Sequence, residues 1–240
     1  MNAPTELPCR SVVLVPTYNE IHNISELLKK LLELPALAIW IIDDNSPDGT
    51  GVRAQAVADK NPRVHVLHRK QKEGLGKAYL DGYKQALLAG YDRIIQMDAD
   101  FSHPLELIPH FLELAQSHDV VLGSRWIPGG GTRNWPRSRQ LLSQWGSFYA
   151  RTWLNLPIRD ITGGFKCFRR EVLESIDLDA INTTGYAFQI EVTFRAIKKG
   201  FSVTETPIIF TEREEGTSKM SKRIIVEAII KVPQLRLWLR

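Results

Sequence analysis

The 240 residues suffice for one large α/β domain with a sizeable core, and two small domains fit the length less well. An apolar fraction of 43% and a charged fraction of 24% are ordinary for a soluble globular protein. Cys9 and Cys167 form neither a metal-binding spacing nor a disulfide framework, which suits a reducing compartment. The N-terminus does not read as a signal peptide, and no window of about 18 uncharged apolar residues predicts a membrane-spanning helix. The net charge of +4 is localised: from Arg213 to Arg240 seven positive residues face three negative ones, so the rest of the chain is balanced. A basic tail points to an anionic partner, whether phosphate, lipid headgroup or nucleic acid.

In chain order, Ser11–Val15 reads as a strand and Tyr18–Leu34 as a helix with apolar residues at Ile21, Ile24, Leu27, Leu28, Leu31 and Leu32. Ala38–Ile42 is the second strand and Gly51–Asp59 the second helix. Arg63–Leu67 is a third strand, followed by the loop Lys70–Gly76 and a helix to about Ala89. Arg93–Met97 is the fourth strand, Leu105–Gln116 a helix and Asp119–Leu122 a fifth strand. Ile127-Pro128-Gly129-Gly130-Gly131 then breaks the pattern, and a Trp-rich segment follows. The stretch from Gly163 to Phe210 supplies a short strand, a helix near Ala187–Lys199 and a final strand. This alternation predicts an α/β fold, a mostly parallel sheet with helices on both faces.

Asp98 and Asp100 follow the apolar run Ile94-Ile95-Gln96-Met97. Paired carboxylates after a buried strand lie at the carboxyl edge of the sheet, where open α/β folds bind ligands, at a turn expected to face solvent. Hard divalent cations take such oxygen ligands and complete their shell with water and substrate phosphates. Taken singly, Asp-X-Asp is more often a solvated turn than a site. A second acidic turn, Asp43-Asp44-Asn45-Ser46-Pro47-Asp48-Gly49-Thr50, follows the run Ile39–Ile42 and shifts that balance. The turn Pro16-Thr17-Tyr18-Asn19-Glu20 closes the first strand and can cradle a nucleotide. No Gly-X-Gly-X-X-Gly or Walker-type loop follows any strand, which argues against dehydrogenase and P-loop readings. The basic loop Lys70–Lys77 reads equally as a mobile segment or as a phosphate contact.

Together these blocks resemble a known family. With Gly74-Leu75-Gly76, Asp98-Ala99-Asp100-Phe101-Ser102-His103-Pro104, Gly123-Ser124-Arg125-Trp126, Asp160-Ile161-Thr162-Gly163-Gly164-Phe165 and Arg213-Glu214-Glu215-Gly216-Thr217-Ser218-Lys219, the series is similar to the dolichol-phosphate (polyprenol-phosphate) mannosyltransferases of glycosyltransferase family 2. The resemblance runs from about Val12 to Lys219. It implies a GT-A fold over 1–218; the residues of 219–240 themselves read as a basic amphipathic helix. It also implies inverting transfer of mannose from GDP-mannose to a polyprenyl phosphate, with transfer from a UDP-sugar, or a nucleotide-binding module without turnover, as alternatives. Donor-site positions carry over to Pro16, Tyr18, Glu20, Ile42 and Asp44 around the guanosine, and to Asp98, Ala99 and Asp100 around the ribose-diphosphate. The implied metal, Mg2+ or Mn2+, falls to Asp98 and Asp100, with Ser102 where some members carry Gln; a hydroxyl is a weaker ligand than an amide oxygen. Arg125, Arg213 and Lys219, and less securely Arg139, match basic positions that hold diphosphate or acceptor phosphate. Asp100, Arg125, Arg213 and Lys219 are the implied catalytic residues.

A lipid monophosphate has a second pKa near 6 and is mostly dianionic at pH 7, so it needs little help from a base. Glu191 is the first candidate if a base is required, although the reading as an ordinary helix residue outweighs that role. His103, before Pro104, reads as a turn former rather than a metal ligand. Trp126, Trp135, Trp145 and Trp153, interleaved with Arg133, Arg137, Arg139 and Arg151, suit a membrane–water interface or stacked bases, while Trp145, Tyr149 and Trp153 at helical spacing equally suit core packing. The balanced charge before Arg213 argues against a nucleic-acid groove. In the tail, Arg223, Glu227 and Lys231 oppose Ile225, Ala228, Ile229 and Val232, and Pro233 is expected to kink or end the helix. That stripe faces either a membrane or the domain. The expectation is a peripheral enzyme on the cytoplasmic face of a membrane, held directly or by a separate membrane-anchoring protein.

Overall fold

The first strand, β1 (Ser11–Thr17), is the hinge of the architecture because its alternate residues feed two cores. Val13 and Val15 join one apolar cluster, while Val12 and Leu14 join the other. In this computed structural model residues 10–183, 185–212 and 222–238 are described, with the backbone alone at Tyr186, 222–228 and Trp238. The elements that follow are α1 (Ile24–Glu33), β2 (Leu37–Asp43), α2 (Thr50–Ala58), β3 (Val64–His68), α3 (Leu75–Leu88) and β4 (Arg93–Gln96). A 3-10 turn at Leu105–Leu107 leads into α4 (Ile108–Leu114), then β5 (Val120–Ser124), β6 (Gly131–Arg133) and α5 (Arg137–Leu154). The chain continues through β7 (Lys166–Arg169), α6 (Arg170–Ser175), α7 (Gly185–Lys198), β8 (Val203–Pro207), β9 (Ile209–Thr211) and α8 (Lys222–Trp238).

Seven strands form one sheet in the order β3-β2-β1-β4-β7-β5-β8, and β6 pairs with β9 in a separate two-stranded ribbon. Only β7 runs antiparallel to its neighbours, β4 and β5. From β1 the sheet grows outward to β2 on one side and β4 on the other, so their carboxyl ends diverge and open a crevice. Residues of α1 and α4 pack on one face, with Leu27 and Phe111 fully buried. On the opposite face α3, α6 and α7 bury Tyr79, Val172 and Phe188. A third cluster joins Ala150 and Leu154 of α5, Ile190 and Phe194 of α7, and Val232 and Leu235 of α8. The last helix therefore packs on the domain through one of its faces.

Several elements differ from expectation for identifiable reasons. Helix α1 begins at Ile24, not Tyr18, because Asn19 adopts a left-handed φ of 59° and the Glu20 and Ile21 amides bond to Thr50 and Asp48 of the next turn. Periodicity hinted at α5 only through Trp145, Tyr149 and Trp153, yet the helix is long and carries the Trp-rich segment. Neither α6 nor the β6–β9 ribbon was anticipated, since short elements carry little periodic signal. Helix α8 does not end at Pro233. The missing Pro233 amide would have bonded the Ile229 carbonyl, and the Tyr149 hydroxyl donates to that oxygen instead, at 2.8 Å. Among the described residues no helix is long and apolar enough to cross a membrane.

Candidate active site

Three turns meet at the carboxyl edge, following β1, β2 and β4. Each contains a non-glycine residue in the left-handed region: Asn19 at φ 59°, Asn45 at 58° and Phe101 at 58°. Asparagine tolerates that conformation, but for phenylalanine it stores strain of the kind concentrated at functional sites. The first two turns are tied together by the Ser-Pro-Asp-Gly-Thr block. Buried Asp43 accepts the Thr17 hydroxyl at 3.0 Å and the Ser46 hydroxyl at 2.6 Å, and Ser46 Oγ in turn accepts the Asn19 amide at 3.1 Å. Burial works against ionised Asp48, but donation from the Thr50 hydroxyl and amide and the Ile21 amide holds its carboxyl below the ordinary value. Gly51 gives the Asp43 side chain room, because a Cβ there would come within 2.7 Å of Asp43 Oδ2 and force it to shift. Pro16, Tyr18, Glu20, Ile42 and Asp44 are thereby gathered on adjoining turns at the ends of β1 and β2.

Sequence reading missed Arg69, just beyond β3, because it reads as one more charge beside the basic loop Lys70–Lys77. It is buried and binds Asp44 through one terminal nitrogen, Glu73 at 2.7 Å through the other, and Asp81 at 2.8 Å through Nε. Asp44 also accepts the Gly74 amide at 3.1 Å. The Lys70–Gly76 loop is thus pinned onto the second turn, and Lys72 Nζ lies 3.5 Å from the centroid of Tyr18.

The Asp98–Ala99–Asp100 turn is braced from beneath. His103 Nδ1 accepts the Asp98 backbone amide at 3.0 Å, so Nδ1 is the unprotonated ring nitrogen. Its ring stacks on Phe165 with centroids 5.1 Å apart, and burial holds the imidazole below its ordinary pKa. His103 therefore shapes the turn. Asp100 is buried, correcting the expectation of a solvent-facing position, and its Oδ1 accepts the Ser102 amide at 3.2 Å. The Tyr79 phenol is pushed well above its ordinary value by burial and then by the nearby Asp98 carboxylate.

Among the described residues no group of three or more His, Cys, Asp or Glu could hold a metal. The donor set that does exist is two carboxylates beside the Ser102 hydroxyl, which is buried and finds no hydrogen-bond partner among the described residues. Hard oxygen donors with an unsatisfied hydroxyl fit Mg2+ or Mn2+, whose remaining positions go to water and substrate phosphates.

On the other side of β4, Arg125 follows β5 and is buried against Asp160. Its Nε donates to Oδ2 and a terminal nitrogen to Oδ1, both at 2.7 Å, and its amide adds a third bond at 2.9 Å. Burial would raise the Asp160 pKa, but Arg125 overrides it and keeps the carboxyl below its ordinary value. Arg139, in the first turn of α5, bonds Glu212 at 2.6 Å. Lys166 on β7 is fully buried, donates to the Gln189 carbonyl at 2.7 Å and the Thr193 hydroxyl at 2.9 Å, and is brought down to about 7 by burial, against the opposing pull of Asp160. Glu191 has both carboxylate oxygens engaged, one by the Thr183 hydroxyl at 2.7 Å and one by Arg195 at 2.7 Å. Arg213 and Lys219 lie outside the described residues.

With this geometry established, comparison with known proteins is informative. The family model described as Glycosyl transferase family 2 matches residues 12–177. Undecaprenyl-phosphate mannosyltransferase of Micrococcus luteus is 46% identical over 93% of this chain and 92% of its own. Polyprenol monophosphomannose synthase of Mycolicibacterium smegmatis is 48% identical over 94% of this chain and 86% of its own. Among solved structures, glucosyl-3-phosphoglycerate synthase from Mycobacterium tuberculosis, in complex with Mn2+, UDP and glucosyl-3-phosphoglycerate, superposes with a TM-score of 0.67 at 18% identity, over 95% of this chain and 80% of that one. A mannosyltransferase from Pyrobaculum calidifontis, in complex with GDP-Man and Mn2+, gives 0.58 at 17% identity, over 98% of this chain and 74% of that one. These two neighbours carry different nucleotides, so they establish the GT-A-type fold and leave the donor to be argued from the closer relatives. The divergent carboxyl edge, the Asp98–Asp100 turn and the near-full-length relatives converge: the chain belongs to glycosyltransferase family 2, among its polyprenyl-phosphate mannosyltransferases.

Proposed function

We propose that this chain transfers mannose from GDP-mannose to a polyprenyl phosphate, with inversion, at the cytoplasmic surface of a membrane. The observation that carries this reading is near-full-length identity of 46% and 48% to two enzymes named for polyprenyl-phosphate mannose transfer. The nucleoside of the donor occupies the crevice between the β1 and β2 turns, against Pro16, Tyr18, Glu20, Ile42 and Asp44. Ala99 allows the ribose-diphosphate to approach the turn that holds Asp98 and Asp100. Those carboxylates, with the Ser102 hydroxyl, would hold Mg2+ or Mn2+, which when bound neutralises charge on the departing diphosphate.

Arg125 and Arg139, joined by Arg213 and Lys219, bind and orient phosphate on the acceptor side. The acceptor monoester is already dianionic near neutral pH, so one of its oxygens attacks the anomeric carbon as the bond to the diphosphate breaks. No protein base is required, in keeping with the engagement of both Glu191 oxygens. A single displacement inverts the anomeric configuration.

The acceptor stays in a bilayer, and α5 offers a means of reaching it. Leu141, Trp145, Phe148 and Trp153 of α5, with Ile230 and Leu237 of α8, are exposed on neighbouring helices beside Arg137 and Arg236. Exposed aromatic and aliphatic groups with flanking cations suit peripheral attachment to an anionic surface. Incubating the purified chain with polyprenyl phosphate and radiolabelled GDP-mannose or UDP-glucose tests the reaction. Mannosyl lipid should form only from GDP-mannose with Mg2+ or Mn2+ present; preference for UDP-glucose, or no lipid product, overturns it.

A further inference from the structure

Trp135 stands where two guanidinium groups meet. The guanidinium carbon of Arg139 lies 4.1 Å from the indole centroid and that of Arg125 lies 5.5 Å from it. Each arginine is also held by a carboxylate, Arg125 by Asp160 and Arg139 by Glu212. An aromatic face attracts cations, so one indole gives both guanidinium groups a favourable contact.

The hydrogen-bond inventory at this place is lopsided. Trp135 is 7% exposed, and its indole N–H has no acceptor among the described residues. The N–H of Trp126, whose ring lies 5.3 Å from Arg125, is buried without an acceptor as well, and so is Nε of Arg139. Folded proteins leave few buried donors unpaired, and a cluster of them calls for a partner. Two carboxylates balance the two guanidinium groups, and what remains is three buried N–H donors with no partner among the described residues, a set that suits an oxyanion. The place also adjoins the donor turn. Phe210 meets Trp135 edge-on at 5.2 Å and meets His103 at 5.4 Å, and His103 braces Asp98.

We propose that Trp135 is a phosphate-binding residue: its indole N–H donates to the phosphate monoester of the acceptor, while its ring holds Arg125 and Arg139 around the same group. This rests on the acceptor reading above and assigns a contact within it. The lipid monoester and the donor diphosphate share the same chemistry, and substrate kinetics separate them.

The test is Trp135→Phe, which keeps an aromatic ring beside both arginines and removes the N–H together with the pyrrole half of the indole. The KM for polyprenyl phosphate should rise about tenfold or more, while that for GDP-mannose stays within about twofold. Some fall in melting temperature is expected from the cavity that the smaller ring leaves, so the split between the two KM values carries the test. A rise confined to the KM for GDP-mannose overturns the acceptor assignment, and unchanged values for both overturn any phosphate contact. Should the variant fail to fold, the wild-type indole N–H resonance of Trp135 decides: a shift with farnesyl phosphate in detergent, but not with farnesol, supports the contact, and equal response to both overturns it. Wild type that binds farnesyl phosphate this way yet transfers no mannose would sink the catalytic reading alone. Wild type that transfers mannose while Trp135→Phe behaves identically would sink this contact alone.

Discussion

Tyr149 and Pro233 lie on different helices and are joined through one carbonyl. Pro233 leaves the Ile229 oxygen of α8 without its helical partner, and the Tyr149 hydroxyl of α5 supplies the bond at 2.8 Å. A proline expected to kink or end the helix thereby helps fasten it to the domain. Tyr149→Phe should cost about 1 kcal/mol in a denaturant titration. In a Pro233→Ala background the restored amide competes for the same carbonyl, so the cost should shrink. An equal cost in both backgrounds would mean that the hydroxyl acts elsewhere.

The Asp98–Asp100 turn should separate chemistry from stability. Asp100→Asn keeps the oxygen that accepts the Ser102 amide and removes the charge a cation needs. Turnover should fall about a hundredfold or more, with little change in melting temperature. Chelator should abolish wild-type transfer, and added Mn2+ or Mg2+ should restore it. Near-normal turnover of the variant at saturating donor would remove Asp100 from the metal site.

Asp160 should matter more to folding than Asp100 does. Its carboxylate is the bidentate partner of buried Arg125, so Asp160→Asn breaks a buried ion pair while Arg125 keeps its charge. The expected loss is about 3–5 kcal/mol by thermal or urea unfolding. Replacing both partners, Arg125→Met with Asp160→Leu, should recover much of that stability and none of the turnover. Recovered transfer in the double variant would show that Arg125 does not bind phosphate.

Lys166 predicts a pH dependence of the same sense as that of Asp160, whose carboxyl is also held below its ordinary value, but in an alkaline window. Burial brings its folded pKa to about 7 against an ordinary value of 10.5. Between those values the unfolded chain binds the additional proton, so this residue makes stability rise with pH across that window. Its cost is fully present below about pH 7, where the buried ammonium is charged in both states, and fades toward pH 10.5. Melting curves from pH 6.5 to 9.5 should show the rise, and Lys166→Met should flatten it. A wild-type curve no steeper than the variant's would refute the assignment.

Membrane attachment is best tested on side chains that do not support the fold. Truncating α8 would expose the cluster that buries Val232 and Leu235, confusing unfolding with loss of binding. Trp145 and Phe148 are 49% and 58% exposed, so Trp145→Ser with Phe148→Ser should leave melting almost unchanged. In flotation, wild type should bind anionic vesicles more tightly than neutral ones and lose binding in salt, and the double variant should bind less. Indifference of wild type to anionic vesicles at low salt would leave attachment to a separate membrane partner.

Local pattern by itself determined the layered α/β alternation from Ser11 to Leu122, the acidic turns at Asp43 and Asp98, and the basic tail. Period and turn chemistry are written in adjacent residues, so they survive without the fold. The ordered blocks from Pro16 to Lys219 likewise carried the family. What only the tertiary structure decided is where separated charges meet. Arg69 finds Asp44, Glu73 and Asp81 because β3 lies beside β2, and Arg125 finds Asp160 because the turn after β5 meets the segment leading into β7. His103 becomes a brace once Phe165 and Phe210 enclose it, and Asp100 becomes buried once its turn folds back over Ser102. Such pairings depend on strand order and burial, which couple residues remote in the chain, and local periodicity carries no record of them.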